Sequence, residues 1–318
     1  ALFCSMPSNA VISLPDLETI YKVPLALDEE GIDKIITDKL QLEKNKPNLS
    51  AWKKVVKRKI KPSKSVNVSF VGKYVDLKDA YFSLTEALDH AGINNDTRVN
   101  INFVNSDELN NKNYSSKLKK SDAILVPGGF GGRGIEGMIL AAKYAREKKV
   151  PYFGICLGLQ IAIIEIARNL CGLKDANSTE FKPRTKHKVI SLITEWKNED
   201  GSIEKRDKNS DKGGTMRLGA QKAKLKKNSL ANKLYKKTNI FERHRHRYEV
   251  NPEYVSELEK KGLLISARSE IHNLVEIIGI KDHPWYLGCQ FHPEFTSKPK
   301  TGHPLFNDFI KTAVKLKR

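Results

Sequence analysis

From residue 66 onward the chain alternates unbroken apolar runs with amphipathic ones, and this alternation constrains the fold more than any other feature of the sequence. "VNVSFVG", "VNINFV", "DAILVPGG" and "VPYFGI" read as strands, the last two apolar on both faces. Between them, "DAYFSLTEALDHAG" reads as an amphipathic helix closed by Gly92, and "IEGMILAAKYAREKK" and "LGLQIAIIEIARNL" read as two more helices. Strands that are apolar on both sides must be covered on both sides. The pattern therefore predicts an α/β fold, a mainly parallel central sheet flanked by helices. After residue 186 the runs turn strand-like ("HKVISLITEW", "LLISARS", "NLVEIIGI", "WYLGCQF"), and a last helix follows in "PLFNDFIKTAVKL".

The first 65 residues have a different rhythm. Residues 1–43 read as a strand-and-helix tail: "AVISL" as a strand, "DLETIYKVPLAL" as a short helix followed by extended chain, "EEGIDKIITDKL" as a helix. Residues 44–65 are basic and contain two prolines, the composition of a linker, in which Trp52, Val55 and Val56 predict a short helix docked on a domain. The polar, Gly-bounded stretch 197–214 reads as a mobile loop.

Composition excludes several classes. At 318 residues with 39% hydrophobic side chains, the chain can bury a real core, yet no apolar run reaches the ~18 residues of a membrane span. Its four cysteines, Cys4, Cys156, Cys171 and Cys289, lie far apart with no C-x-x-C pair. That pattern suits neither a zinc site nor a disulfide framework, so no metal is expected, and a reducing, cytoplasmic setting fits best. The net charge of +19 could mean nucleic acid. However, the lysines are scattered and asparagine is abundant as well, which suits a general compositional bias. Even "RHRHR" reads first as a solvated basic face, and neither a nucleic-acid nor a membrane partner is expected.

The corner "FGICLGLQIAII" asks for more than packing. A free cysteine is usually a buried small hydrophobe, but Cys156 stands where an apolar strand meets a helix, between Gly154 and Gly158. This is the small-x-nucleophile-x-small form of a nucleophile elbow. The strand's C-terminal end is where α/β sheets gather reactive groups, and the helix N-terminus favours negative charge on the sulfur. A thiolate nucleophile needs a base and an oxyanion hole. "PGGFGGRG" (127–134) can bring backbone N–H groups to an oxyanion, and no G-K-[ST] follows to make it a phosphate loop. "CQFHPEF" (289–295) supplies His292 and Glu294, two residues apart in extended chain and so on one face, where the carboxylate can orient the imidazole.

"PGGFG", "GICLGLQ" and "FHPEF" together resemble the class I, triad-type glutamine amidotransferases. "DANSTEF", "GGTMRLG", "ERHRHRYEVNP", "HPWYLGCQFHPEFTS" and "VGKYVDLKDAY" narrow the resemblance to the CTP synthase family. Another class I glutaminase subunit or domain is the alternative. The resemblance implies that residues 66–318 form the glutaminase domain, with an extra antiparallel strand region beside the parallel sheet. "SLPDLETIYKVPL" is similar to the end of that family's amidoligase domain, so residues 1–43 would be its short α/β remnant and the chain a C-terminal piece.

The resemblance further implies that Cys156 attacks the side-chain amide of L-glutamine, with His292 as base and Glu294 as its orienter. Backbone N–H groups near Gly128, Gly129 and Leu157 would hold the oxyanion. Gly129, Leu157, Gly158, Leu159, Gln160, Glu180 and Arg247 would bind glutamine, with Glu180 on its α-amino group and Arg247 on its α-carboxylate. Gly213, Gly214, Thr215, Met216 and Arg217 would form a lid responding to GTP, an allosteric activator. The family aminates UTP to CTP with ATP, Mg²⁺ and glutamine. UTP, ATP and Mg²⁺ would use an N-terminal domain, a homotetramer would be expected of the full-length enzyme, and the glutaminase half would need no cofactor.

Overall fold

The computed structural model describes residues 1–43, 45–75, 77–192, 195–197, 203–205 and 216–317. Three helices come first: α1 (Val23–Glu29), α2 (Ile32–Lys39) and α3 (Ser50–Ile60). The α/β body then runs β1 (Lys64–Gly72), α4 (Phe82–Asn94), β2 (Thr97–Asn105), α5 (Tyr114–Leu118), β3 (Ala123–Val126), α6 (Ile135–Lys148), β4 (Tyr152–Ile155) and α7 (Leu157–Asn169). A strand-rich part follows: β5 (Asn177–Ser178), β6 (Lys188–Leu192), β7 (Glu195–Lys197), β8 (Ile203–Lys205), β9 (Arg217–Leu225), α8 (Leu230–Tyr235), β10 (Asn239–His246), β11 (Tyr248–Val250), α9 (Pro252–Lys260), β12 (Leu263–Ser269), β13 (Val275–Ile280) and β14 (Tyr286–Cys289). Helix α10 (Pro304–Leu316) closes the chain.

One nine-stranded sheet, in the order β10-β9-β12-β13-β14-β4-β3-β1-β2, organises the body. The strands from β14 to β2 are mutually parallel, and those from β13 to β10 add on antiparallel. The antiparallel region is thus a full wing of the same sheet. One face of the sheet packs on α6 and α7 through Val126, Met138, Leu159 and Ile163. The other packs on α4 and α10 through Phe70, Leu88, Phe153, Trp285 and Phe309. These side chains are almost all fully buried, and at roughly 1.5–3 kcal/mol each they supply the main driving force for folding.

Several local expectations need correction. "AVISL" is not a strand: it follows a 3₁₀ turn at Ser8–Ala10, and Val11 and Leu14 stay exposed. A strand needs a neighbour for its backbone groups, and no described strand pairs with this segment, so residues 1–43 are helical rather than α/β. "DLETIYKVPLAL" has its order reversed, because the helix α1 comes after Tyr21, with Pro24 in its first turn. Gly92 does not close α4 but sits inside it, where a Cβ would come within 2.6 Å of the Thr97 carbonyl oxygen. It is small because β2 starts against the helix, and Asn95 closes the helix instead. Within 197–214, residues 203–205 form β8, paired antiparallel with β7; residues 198–202 and 206–214 lie outside the described residues.

Helix α3 docks through Val55 and Val56 on Ile93, together with Tyr21. His90 on α4 hydrogen-bonds to both the Tyr21 hydroxyl and the Ser297 hydroxyl, each at 3.0 Å. The N-terminal helices are thereby joined to the segment that follows β14.

His283, in the turn before β14, provides a pH test of the fold. Its Nδ1 accepts the Trp285 N–H at 3.1 Å while Nε2 donates to the Ala145 carbonyl at 3.0 Å, which requires the neutral ring. Burial pushes its pKa down to about 4, with the Lys149 charge adding to the effect. The unfolded chain takes up this proton below about pH 6.5 and the folded one only near pH 4, so the fold is penalised across that window as pH falls. Urea titrations at stepped pH should show the wild type losing stability from pH 6.5 to 4, and His283→Gln should show less of that slope.

Candidate active site

The site is built where β4, β14 and β3 end side by side. Cys156 follows β4 directly with φ 52° and ψ −99°, a left-handed conformation that a residue with a Cβ seldom adopts. Two contacts leave room for nothing larger than glycine around it. A Cβ on Gly154 would lie 2.5 Å from the Gly158 carbonyl oxygen, and one on Gly158 would lie 2.2 Å from that of Val126. The Tyr152 hydroxyl donates to the Gly158 carbonyl at 2.8 Å and holds the turn from beneath. Helix α7 starts at Leu157; the Leu159 and Gln160 N–H groups donate to the Cys156 carbonyl, which leaves those of Leu157 and Gly158 as the ones without an intrahelical acceptor.

Strand β14 brings the base. It runs parallel to β4 with Cys289 opposite Ile155, and the Cys156 N–H donates to the Cys289 carbonyl at 2.7 Å. His292 lies three residues further on, and its N–H donates to the Arg243 carbonyl at 2.8 Å. Its Nδ1 meets Glu294 Oε1 at 2.8 Å, which turns Nε2 towards the sulfur. Pro293–Thr296 is a 3₁₀ turn and not the extended chain expected, yet it still brings Glu294 to His292, and both Glu294 and Cys156 are buried. Burial alone would strip the charge from His292, but its hydrogen bonds to Cys156 and Glu294, and the Glu294 carboxylate beside it, push its pKa up to about 10. The imidazole therefore holds a proton at neutral pH.

The glycine loop after β3 forms the third side. A Cβ on Gly128 would stand 2.8 Å from His292 Cε1, and one on Gly129 would stand 3.3 Å from Leu157 Cδ2. The backbone thus passes flush against the Cys–His pair, as a donor to an oxyanion must. Two charges clamp the loop. The Lys73 ammonium donates to the Phe130 carbonyl at 2.9 Å and also to that of Gly131, and Glu180 Oε1 accepts the Gly131 N–H at 2.7 Å. Burial raises the Glu180 pKa, opposed by the Gly131 hydrogen bond and by the charges of Lys73 and Arg247. Burial lowers that of Lys73.

Of the other expected site residues, Gln160 is buried one turn into α7 and donates to the Tyr248 carbonyl at 3.0 Å. Arg247 sits between β10 and β11, close enough for its charge to act on Glu180 and Tyr248. The side chains of Leu157 and Leu159 belong to the core, so their backbones are what a ligand could touch. Gly213, Gly214 and Thr215 lie outside the described residues, and Met216 is half-buried just ahead of β9.

Arg217 does not behave as part of a lid. It opens β9, is 5% exposed, and is held by Glu249 at 2.8 Å and Glu276 at 2.7 Å. A guanidinium fixed by two buried carboxylates is a structural anchor. His246 adds a 2.7 Å contact to Glu249. Sequence reasoning also gave no role to Lys73 or Gln290, although both stand inside the quoted motifs "VGKYVDLKDAY" and "CQFHPEF".

A glycine elbow, a Cys–His–Glu set and a flush glycine loop on an α/β sheet are the parts of a class I glutamine amidotransferase. The family model described as "Glutamine amidotransferase class-I" matches residues 76–312, and the one described as "CTP synthase N-terminus" matches residues 1–42. Among solved structures, the glutaminase domain of Trypanosoma brucei CTPS with bound acivicin is 39% identical, covering 79% of this chain and 94% of that one with a TM-score of 0.70. A glutamine amidotransferase from Methylobacillus flagellatus is 11% identical over 73% of this chain and 71% of its own, with a TM-score of 0.41. One from Thermotoga maritima is 10% identical over 80% and 99%, with a TM-score of 0.40. The chain belongs to the class I glutamine amidotransferases and, within them, to the CTP synthase family.

Removing Arg217 should test the anchor. Arg217→Met leaves two buried carboxylates without their cation, and the loss of one partner of a buried pair costs about 3–5 kcal/mol. Denaturant unfolding should show that loss; a loss below about 1 kcal/mol, the ceiling for exposed pairs, would mean the anchor carries no load.

Proposed function

We propose that this chain hydrolyses L-glutamine to glutamate and ammonia at Cys156, as the glutaminase half of an enzyme that aminates UTP to CTP. One observation carries the reading: the strained Cys156 elbow stands beside a His292 whose far nitrogen is tied to Glu294. The likeness to a CTPS glutaminase domain that binds acivicin, a glutamine analogue, supports it further.

The geometry supports the following course for the reaction. The Cys156 sulfur attacks the side-chain carbonyl carbon of glutamine. The negative charge that develops on the oxygen is met by backbone N–H groups of Gly128, Gly129 and Leu157; losing one such donor typically costs about 100- to 1000-fold in rate. His292 holds the thiol proton and delivers it to the nitrogen as the C–N bond breaks. Ammonia leaves, and a γ-glutamyl thioester remains on the sulfur. Water then adds to the thioester and gives a proton to His292; the C–S bond breaks, and glutamate departs. Glu294 keeps Nε2 facing the sulfur throughout. Glu180 and Arg247, of opposite charge and near one another, suit the α-amino and α-carboxylate ends of the substrate. Arg geometry matches a carboxylate in two-pronged fashion. Gln160 would add a polar contact from α7.

UTP, ATP and Mg²⁺ belong in this reading to an amidoligase domain. Among the described residues, no group of three or more His, Cys, Asp or Glu could hold a metal ion. GTP activation, a homotetramer and a cytoplasmic site of pyrimidine nucleotide synthesis complete the proposal. No described helix is long and apolar enough to cross a membrane.

Ammonia release from glutamine is the direct test. Cys156→Ala should abolish it. Glu294→Gln should lose on the order of 10³–10⁴ in kcat, the scale seen when a triad's orienting carboxylate is neutralised. Equal turnover by the wild type and Cys156→Ala would overturn the assignment, and stimulation by GTP would place activation within this chain.

A further inference from the structure

The Cys–His–Glu set leaves one polar side chain against the sulfur without a task. Gln290 is fully buried, and its Nε2 lies 3.7 Å from Cys156 Sγ, within reach for a hydrogen bond to sulfur. Its position is set by the sheet. Cys289 pairs with Ile155 in the parallel β14/β4 ladder, so continuing one step places Gln290 beside Cys156. Its backbone N–H is fixed to the Glu276 carbonyl at 2.9 Å.

The direction of its amide is set as well. Tyr248 offers a backbone carbonyl, which can only accept, so Gln160 must turn its NH₂ there, at 3.0 Å. The same NH₂ then faces the Gln290 oxygen at 3.5 Å. With its oxygen occupied, Gln290 presents its own NH₂ to the sulfur. A primary amide does not titrate near neutrality, so its help to the sulfur does not depend on pH. Cys156 also belongs to a buried apolar cluster with Ile155 and Phe291, and an anion on that side gains from each donor within reach.

We propose that Gln290 is a further catalytic residue, a neutral donor whose side-chain N–H binds the Cys156 sulfur when it carries negative charge. That charge is present twice: before the sulfur attacks, and again when the C–S bond of the thioester breaks. The role rests on Cys156 being the glutaminase nucleophile. It also gives Gln160 a positioning part, since Gln160 decides which end of Gln290 faces the sulfur.

The test separates this role from the broader one. Alkylation of Cys156 by iodoacetamide, followed on the Cys156 peptide by mass spectrometry across pH 5–10, reads the anionic sulfur without any substrate. In Gln290→Leu the alkylation midpoint should rise by about one pH unit, the equivalent of a tenfold loss of preference for the anion. In the same variant, kcat for glutamine should fall about 10- to 100-fold with little change in KM, the scale of one hydrogen bond to a charged group. Gln290→Met, closer in shape, repeats the measurement if Gln290→Leu does not fold, and near-UV circular dichroism checks the packing of both. An unchanged midpoint and an unchanged kcat in a folded variant would overturn the proposal. A wild type that alkylates with the expected shift yet turns over no glutamine would count against the glutaminase reading and leave the Gln290 contact standing.

Discussion

The site depends on one pair of parallel strands. β4 and β14 lie side by side in register, and the hydrogen bond from the Cys156 N–H to the Cys289 carbonyl is the last rung of their ladder. Beyond that rung the two chains part. One turns sharply at Cys156 into α7; the other continues to Gln290, His292 and Glu294. Nucleophile and base, more than a hundred residues apart in the chain, meet because their strands end level. β3 ends beside them and contributes the glycine loop. No single element contains the chemistry, and the sheet register brings its parts together.

The three motifs and the α/β body could be read directly from the sequence, since both rest on local regularities. Apolar strands between amphipathic helices admit few arrangements, and glycines flanking a cysteine at a strand end have few explanations besides a tight elbow. The misreadings turn on packing that composition does not display. Gly92 looks like a helix stop until β2 is seen pressing on it. "AVISL" has strand composition but no described strand to pair with. Arg217 stands in a glycine-rich motif that suggests motion, and only the fold reveals Glu249 and Glu276 closing on it. Lys73 and Gln290 were visible as letters, but their partners Gly131 and Cys156 are far away in sequence.

The antiparallel wing adds a second requirement. Arg217, Glu249, Glu276 and His246 form a buried polar knot drawn from strands β9, β10, β11 and β13. Glu276 also lends its backbone carbonyl to Gln290, and Arg243 lends one to His292. The wing therefore supports the far side of the site through its main chain, while Arg217 pairs with Glu249 and Glu276 among its own side chains. Buried charge of this kind adds little net stability relative to a well-packed apolar core, and its better-attested value is in specifying one arrangement.

The junction of Tyr21, His90 and Ser297 bears on how the protein can be divided. Sequence families place residues 1–42 in one model and 76–312 in another, which invites excision of the second part for separate study. The hydrogen bonds do not respect that boundary. Tyr21 reaches His90, and His90 reaches Ser297, three residues beyond Glu294. A truncation beginning at β1 would uncover Ile93 and leave His90 without one of its two hydroxyl partners, on the helix that steadies the chain just past the triad. A piece of this protein that keeps both hydrogen bonds of His90 has to begin upstream of Tyr21.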